Sequence, residues 1–279
     1  MTTEQNSHGW MQNLHTHTTY CDGAQSAEAM IDAAIAKGCA SIGFSEHSHV
    51  WFVEKKYSMS PGTTRKYIAE ISALKEKYAD RIEIYLGIEL DYCTDHIPDG
   101  LDYIIGSVHN VQKGYEFVTA DHNVKEQQWL IDKHYGGDYI AFAEAYYATV
   151  AGVAKKTKAD IIGHFDVMAK NNINGCLFDE MNPKYVSAAL GAMDEILKDC
   201  RLFEVNTGAM HRINKPDPYP SPFLLKELRK RGGEVILSSD SHAVSSLCYK
   251  FNEMRELLIA CGYKCIKRLT KNGFIDVLL

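Results

Sequence analysis

The chain has no C-x-x-C pair: its eight cysteines (Cys21, Cys39, Cys93, Cys176, Cys200, Cys248, Cys261 and Cys265) are scattered over 279 residues. A disulfide framework therefore has no support, and free thiols in a reducing cytoplasm are expected. Prolines number only 7, beside 20 glycines, 46% hydrophobic and 24% charged residues, which excludes collagen-like, coiled-coil and disordered classes. There is no run of five or six like charges, and 30 Lys plus Arg stand against 36 Asp plus Glu, a formal charge of −6. Without a basic stripe, neither nucleic acid nor an anionic membrane is an expected partner. No stretch approaches the length of a membrane span, and residues 1–9 lack the apolar core of a signal peptide, so a soluble cytoplasmic protein is expected. G-x-S-x-G, Walker and Rossmann glycine patterns are also missing, which leaves serine-nucleophile and nucleotide-cofactor chemistry without support.

What is present is an alternation of strand and helix. Short apolar runs at 10–14, 41–44, 82–88, 103–108, 160–162, 202–205 and 234–237 read as buried strands. Helical periods lie between most of them. Ser60-Pro61, Asn182-Pro183 and Ser221-Pro222 repeat one start signal, a side-chain acceptor followed by proline, while Ser26 opens an Ala-rich segment stopped by Gly38, and Gly232 closes the helix begun at Ser221. Such alternation builds a parallel sheet covered by helices. Residues 110–138 break the rhythm and read as a long loop or lid, and residues 263–279 as an added strand or cap.

Twelve histidines stand out, and their positions carry the information. Nearly every strand-like run ends in a polar residue: His15 and His17, Glu46 and His47, Glu89, His109, His164, Asn206, then Asp240 and His242. In a closed barrel these ends converge on one face, whereas the outer strands of an open sheet could not meet, so an α/β barrel of about seven strands is the expected fold. His15-Thr16-His17 places two imidazoles on the same face of a strand. With Asp22, Glu46, His47, Glu89, His109, His164, Asp240 and His242 they form a nitrogen and carboxylate set suited to catalytic Zn²⁺, Mn²⁺ or Fe²⁺. The set exceeds the needs of one ion, so two or three divalent ions are expected, with Glu89 or another carboxylate bridging. His8, His96, His122 and His134 read as surface residues, and His49 as a possible contact near the site.

The blocks NLHTHTTYCDG, GFSEHSH, GIELDY with GSVHN, and GHFDV followed by SSDSH resemble the motifs of the polymerase and histidinol phosphatase (PHP) family, over nearly the whole chain. Within that family the chain is most similar to the histidinol-phosphate phosphatases, through its opening motif and its EVNTGAMHR and PYPS segments. The resemblance implies a single PHP domain over 1–279, a distorted seven-stranded barrel with a trinuclear centre at the C-terminal strand ends. It assigns one metal to His15, His17, Glu89 and Asp240, a second to Asp22, His47 and His242, and a third to Glu89, His109 and His164. Many relatives carry His in place of Asp22 and Asp in place of Glu46; Glu46 is expected to act behind the ligands.

Two close cations can hold a bridging hydroxide, here between Glu89 and Asp240, and bind phosphate oxygens, so hydrolysis of a phosphomonoester follows. Further phosphate contacts are expected from Arg212, His211 and Lys170, and an acidic partner for a cationic substrate from Asp166 or Glu204. The implied reaction is conversion of L-histidinol phosphate to L-histidinol and phosphate in histidine biosynthesis, by a monomer or homodimer. The alternatives are another small ester such as a nucleotide or sugar phosphate, and an amidohydrolase-like metal hydrolase.

Overall fold

A computed structural model describes residues 9–279; His8 lies outside the described residues. In chain order the elements are β1 (Gln12–Asn13), α1 (Ala27–Ala36), β2 (Ser41–Phe44), α2 (Pro61–Lys77), β3 (Glu83–Asp91), β4 (Tyr103–Ser107), β5 (Asn110–Lys113), β6 (Glu116–Thr119) and α3 (Val124–Tyr135). They continue with α4 (Tyr139–Val150), α5 (Val153–Thr157), β7 (Ile161–Ile162), α6 (Pro183–Ile196), β8 (Leu202–Asn206), α7 (Gly208–Arg212), α8 (Pro222–Lys230), β9 (Glu234–Ser238), α9 (Phe251–Ala260), β10 (Cys265–Thr270) and β11 (Gly273–Leu278).

The helix starts follow local chemistry. Ser26, Ser60 and Asn182 each accept a backbone N–H from the first turn, satisfying a donor that the helix leaves unpaired. Ser221 departs from this: its side chain caps nothing, and its backbone N–H instead donates to Asp166 Oδ2 at 3.0 Å. Gly38 and Gly232 follow their helices at φ 73° and 78°, the left-handed stop that glycine adopts without strain.

The seven expected strands pair in parallel in the order β1-β2-β3-β4-β7-β8-β9, a nearly closed barrel. The seam between the first and last strands closes just past their ends, where His17 N–H donates to Ser241 O (2.8 Å) and Ser241 N–H to His15 O (2.9 Å). At the opposite end the antiparallel pair β10 and β11 serves as the cap. Gln12 exchanges hydrogen bonds with the Leu269 backbone, and Leu269 and Phe274 pack on Leu14, Tyr85, Ile161, Leu202 and Ile236. Tyr103 fills the barrel interior, its hydroxyl donating to the carbonyls of Leu14 and Phe44. Gly43 and Gly87 make room for it, since a Cβ there would lie 2.4 and 2.2 Å from Tyr103 atoms.

Residues 110–138 are not an irregular loop. They form a β5–β6 hairpin and then α3, capped by Asn123 at its start and Gly136 at its end. The reason is internal satisfaction: Val111 and Val118 face the core, and Gln127 donates to the carbonyls of Ala120 and Met168. Among the described residues no helix is long and apolar enough to cross a membrane, and the eight cysteines are all free.

Candidate metal centre

Parallel strands all deliver their carboxyl ends to one face, and that is where the charged side chains gather. His15 and His17 follow β1, flanking Thr16, whose bridge to Ser241 closes the barrel. His47 follows β2 and pairs with Glu89 of β3 across the ladder. His109 follows β4, His164 follows β7, and Asp240 and His242 follow β9; Asp22 comes from the turn before α1. Asp240 sits at φ 44°, a left-handed conformation that a non-glycine residue adopts only when its surroundings impose it.

Glu89 is the hub. Its Oε2 lies 2.7 Å from His47 Nδ1, 3.4 Å from His15 Nε2 and 3.6 Å from His17 Nε2, and its Oε1 lies 2.8 Å from His164 Nε2 and 3.2 Å from His109 Nε2. Asp240 Oδ1 stands 3.4 Å from His17 Nε2, 3.7 Å from His15 Nε2 and 3.4 Å from His242 Nδ1. Asp22 reaches His242 Nε2 at 3.1 Å and His47 Nε2 at 3.6 Å. Two atoms held about 2.1 Å from one tetrahedral ion are roughly 3.4 Å apart, so this spacing fits shared cations. Independently, His15 Nε2, His17 Nε2 and Glu89 Oε2 are buried and make no aligned hydrogen bond, Glu89 Oε2 despite its 2.7 Å approach to His47 Nδ1, a costly arrangement unless something else satisfies them.

Ligand atoms within 4.8 Å of one another fall into overlapping groups: His15, His17 and Asp240; His17, Asp22, His47 and His242; His47, Glu89 and His109; and His17, Cys21 and Glu46. Eight of the nine expected residues fall in these groups, and His164 joins them through its 2.8 Å approach to Glu89 Oε1. The grouping departs from the expected sets: His17 also faces the Asp22 group, His47 stands where His164 was expected beside Glu89 and His109, and Glu89 is not in the group of His15, His17 and Asp240.

The electrostatics are those of a site made for positive charge. Burial opposes ionisation of Glu89, yet His109, His47 and His15 hold its carboxyl well below the usual range. Asp22 and Asp240 are likewise depressed against burial, Asp22 by His242 and His47, Asp240 by Arg212 and His15. Burial works against protonation of His15 and His109, but Glu204, Asp240 and Glu89 raise the first, and Glu89 and Asp91 the second. His17 is pushed down to about 3 by burial and by His242 and His47, so it is neutral.

Residues behind the cluster orient it. Glu204 accepts from His15 Nδ1 at 2.8 Å and from the His164 backbone N–H, so it is not a substrate-facing acid as expected. Asp166 is also no substrate contact: it is buried away from the cleft lining, burial raises it to about 7, and Oδ2 caps Ser221. Glu46 is wholly buried, accepting from Thr18 N–H, Thr18 Oγ1 and Cys21. His49 turns to the Met59 carbonyl and lines a separate depression with His96.

A cleft of about 940 Å³ opens over the cluster. Arg212 lines it, donating to Asp240 Oδ2 at 2.8 Å and to His242 Nδ1 at 2.8 Å. Lys170 lines it too, tied to the Asp121 carbonyl at 2.6 Å. His211 does not: successive helix residues point about 100° apart, and beside Arg212 its ring packs edge-on against Tyr249. His122 is exposed, as expected; it is among the residues lining the cleft and pairs with Glu126 at 2.6 Å. Sequence reading missed Asp91, which accepts from His109 Nδ1 at 2.9 Å, although its position two residues past Glu89 on one strand face was a usable signal. It also missed Asp121 and Cys21, which nothing in their local pattern marks.

A family model described as the PHP domain matches residues 13–208. A protein of Deinococcus radiodurans named probable histidinol-phosphatase is 29% identical over 252 residues, 85% of this chain and 88% of its own length. Among solved structures, a Listeria monocytogenes protein provisionally named a histidinol phosphatase superposes with TM-score 0.75 at 18% identity, over 87% of this chain and 99% of its own. The histidinol phosphate phosphatase of Lactococcus lactis, complexed with zinc, L-histidinol and phosphate, gives TM-score 0.66 at 20% identity, over 95% and 99%.

Proposed function

The chain belongs to the PHP domain family, and from that premise we propose that it is a metal-dependent phosphomonoesterase that converts L-histidinol phosphate to L-histidinol and phosphate in histidine biosynthesis. The observation that carries the hydrolase reading is the convergence of eight nitrogen and carboxylate side chains, with His164 joined to them through Glu89, beneath a cleft that Arg212 also lines; three of their ligand atoms are buried without an aligned hydrogen bond. The substrate is supported by the relatives' names and by the zinc, histidinol and phosphate bound in the Lactococcus structure.

Two or three divalent ions, Zn²⁺, Mn²⁺ or Fe²⁺, would be held by His15, His17, Glu89 and Asp240, by Asp22, His47 and His242, and by Glu89, His109 and His164. When bound, they supply an activated water at neutral pH and positive charge for the phosphate oxygens. The chain does the positioning. Glu204 and Asp91 hold the Nδ1 atoms of His15 and His109, leaving each Nε2 aimed inward. The Arg212 guanidinium, braced by Asp240, binds phosphate oxygens at the cleft wall, and Lys170 adds a second cation.

The test is phosphate release from L-histidinol phosphate beside a panel of sugar and nucleotide monoesters, with Mn²⁺ or Zn²⁺ and after chelation. Turnover that prefers histidinol phosphate and vanishes on chelation is expected. Equal turnover of the panel would overturn the substrate, and turnover that survives chelation would overturn the metal reading.

A further inference from the structure

We propose that Cys21 is a positioning residue for the metal centre: its thiol accepts a hydrogen bond from His17 Nδ1 while donating one to Glu46, which fixes the His17 tautomer whose Nε2 faces the cluster. The proposal rests on the metal-centre reading above, though not on the identity of the phosphate ester.

His17 is wholly buried, and its two ring nitrogens have different neighbours. Nε2 has no hydrogen-bond partner and lies 3.4 Å from Asp240 Oδ1 and 3.6 Å from Glu89 Oε2. Nδ1 meets Cys21 Sγ at 3.5 Å. A neutral imidazole carries one N–H, so a lone pair on Nε2 requires the proton on Nδ1, and that proton needs an acceptor. His15 and His109 have carboxylates there, Glu204 and Asp91. At His17 the carboxylate stands one residue further back: Glu46 Oε2 takes the Cys21 thiol proton, for which Asp22 Oδ1 at 3.3 Å is a second, longer acceptor, while Oε1 takes the Thr18 backbone N–H and hydroxyl.

The choice of cysteine follows from that geometry. A thiol accepts and donates at once, so it can pass the anchoring of Glu46 on to His17. An aspartate at position 21 would set two carboxylates against each other, with Asp22 Oδ1 only 3.3 Å from Cys21 Sγ as a third. An alanine would leave His17 Nδ1 with no acceptor, and the ring would sample both tautomers.

Two readouts test this on the full chain. Zn²⁺ affinity is measured by chelator competition for wild type, Cys21→Ala and Cys21→Ser, with circular dichroism confirming that each is folded. Partners of this kind are worth roughly 10- to 100-fold in metal affinity, so that loss is expected for Cys21→Ala, while Cys21→Ser, which can also accept and donate, stays within about threefold of wild type. The second readout is the imidazole ¹⁵N spectrum of the metal-free protein, in which His17 shows a single Nδ1–H tautomer that becomes a mixture in Cys21→Ala. Unchanged affinity and an unchanged His17 signal in Cys21→Ala would overturn the proposal. So would a Cys21→Ser variant as weak as Cys21→Ala, which would assign the effect to sulfur packing. A wild-type chain that takes up no Zn²⁺ would overturn the metal reading, and the ¹⁵N spectrum would still decide the relay.

Discussion

Glu89 shows how much one side chain decides here. It is 1% exposed, and five histidine rings approach its two oxygens; the charge of His109, His47 and His15 outweighs the burial that would otherwise neutralise it. Glu89→Gln keeps the shape and removes the charge. The expected outcome is a folded protein that binds fewer metal ions by elemental analysis and turns over roughly 100- to 1000-fold more slowly; full metal content with full activity would remove Glu89 from the centre. At this scale the sequence was most informative about residues that end strands. His15, His17, His47, Glu89, His109, His164, Asp240 and His242 were legible because a strand end has a known direction and face. Glu204 was legible as an acid near the site but not in its role, because its use as the His15 anchor depends on strands 189 residues apart in sequence.

Among the elements, the barrel strands are held in place by small residues as much as by large ones. Gly87 on β3 lies against the Tyr103 ring, and a Cβ there would come within 2.2 Å of it. Gly87→Ala should destabilise the fold by about 1–3 kcal/mol, read as a lower denaturant midpoint with unchanged slope, because Tyr103 is tied at both ends and cannot yield cheaply. A midpoint equal to wild type would show that the ring moves freely. Helix starts at Ser26, Ser60 and Asn182 were readable from local pattern, since a cap is a contact over two or three residues. Ser221-Pro222 also opens its helix as expected, but the Ser221 side chain caps nothing, and its backbone N–H donates to Asp166, 55 residues away, a contact that no local pattern shows. The segment 110–138 reads as a loop because its polar residues dominate the pattern, while Asn110, Val111, Val118, Ala120, Gln127 and Ile131 are the buried positions that carry its packing inward.

For the molecule as a whole, pH and metal should act together on stability. His15, His47 and His109 have raised values in the metal-free fold, so the stability they contribute is complete below the usual 6.5 and is lost as pH rises through the raised values. Burial holds Glu46 and Asp166 at about 7, which adds loss in the same direction. Metal-free protein should therefore melt at falling temperature as pH rises above 6.5, whereas bound ions, which compete with those protons, stabilise more as pH rises. The gap in melting temperature between Zn²⁺-loaded and chelated protein should widen from pH 6.5 to 8.5; a constant gap would contradict it. Periodicity, caps and strand-end residues are local properties of the chain, so the seven strands, the starts of four helices and the residues that gather at the candidate centre could be read before any fold was known. The folded chain alone shows which rings share Glu89 and Asp240, that Glu204 and Asp91 stand behind histidines, that His211 turns away, and that a thiol backs His17. Those outcomes depend on distances across the barrel, set by closure of its seam at Thr16 and Ser241.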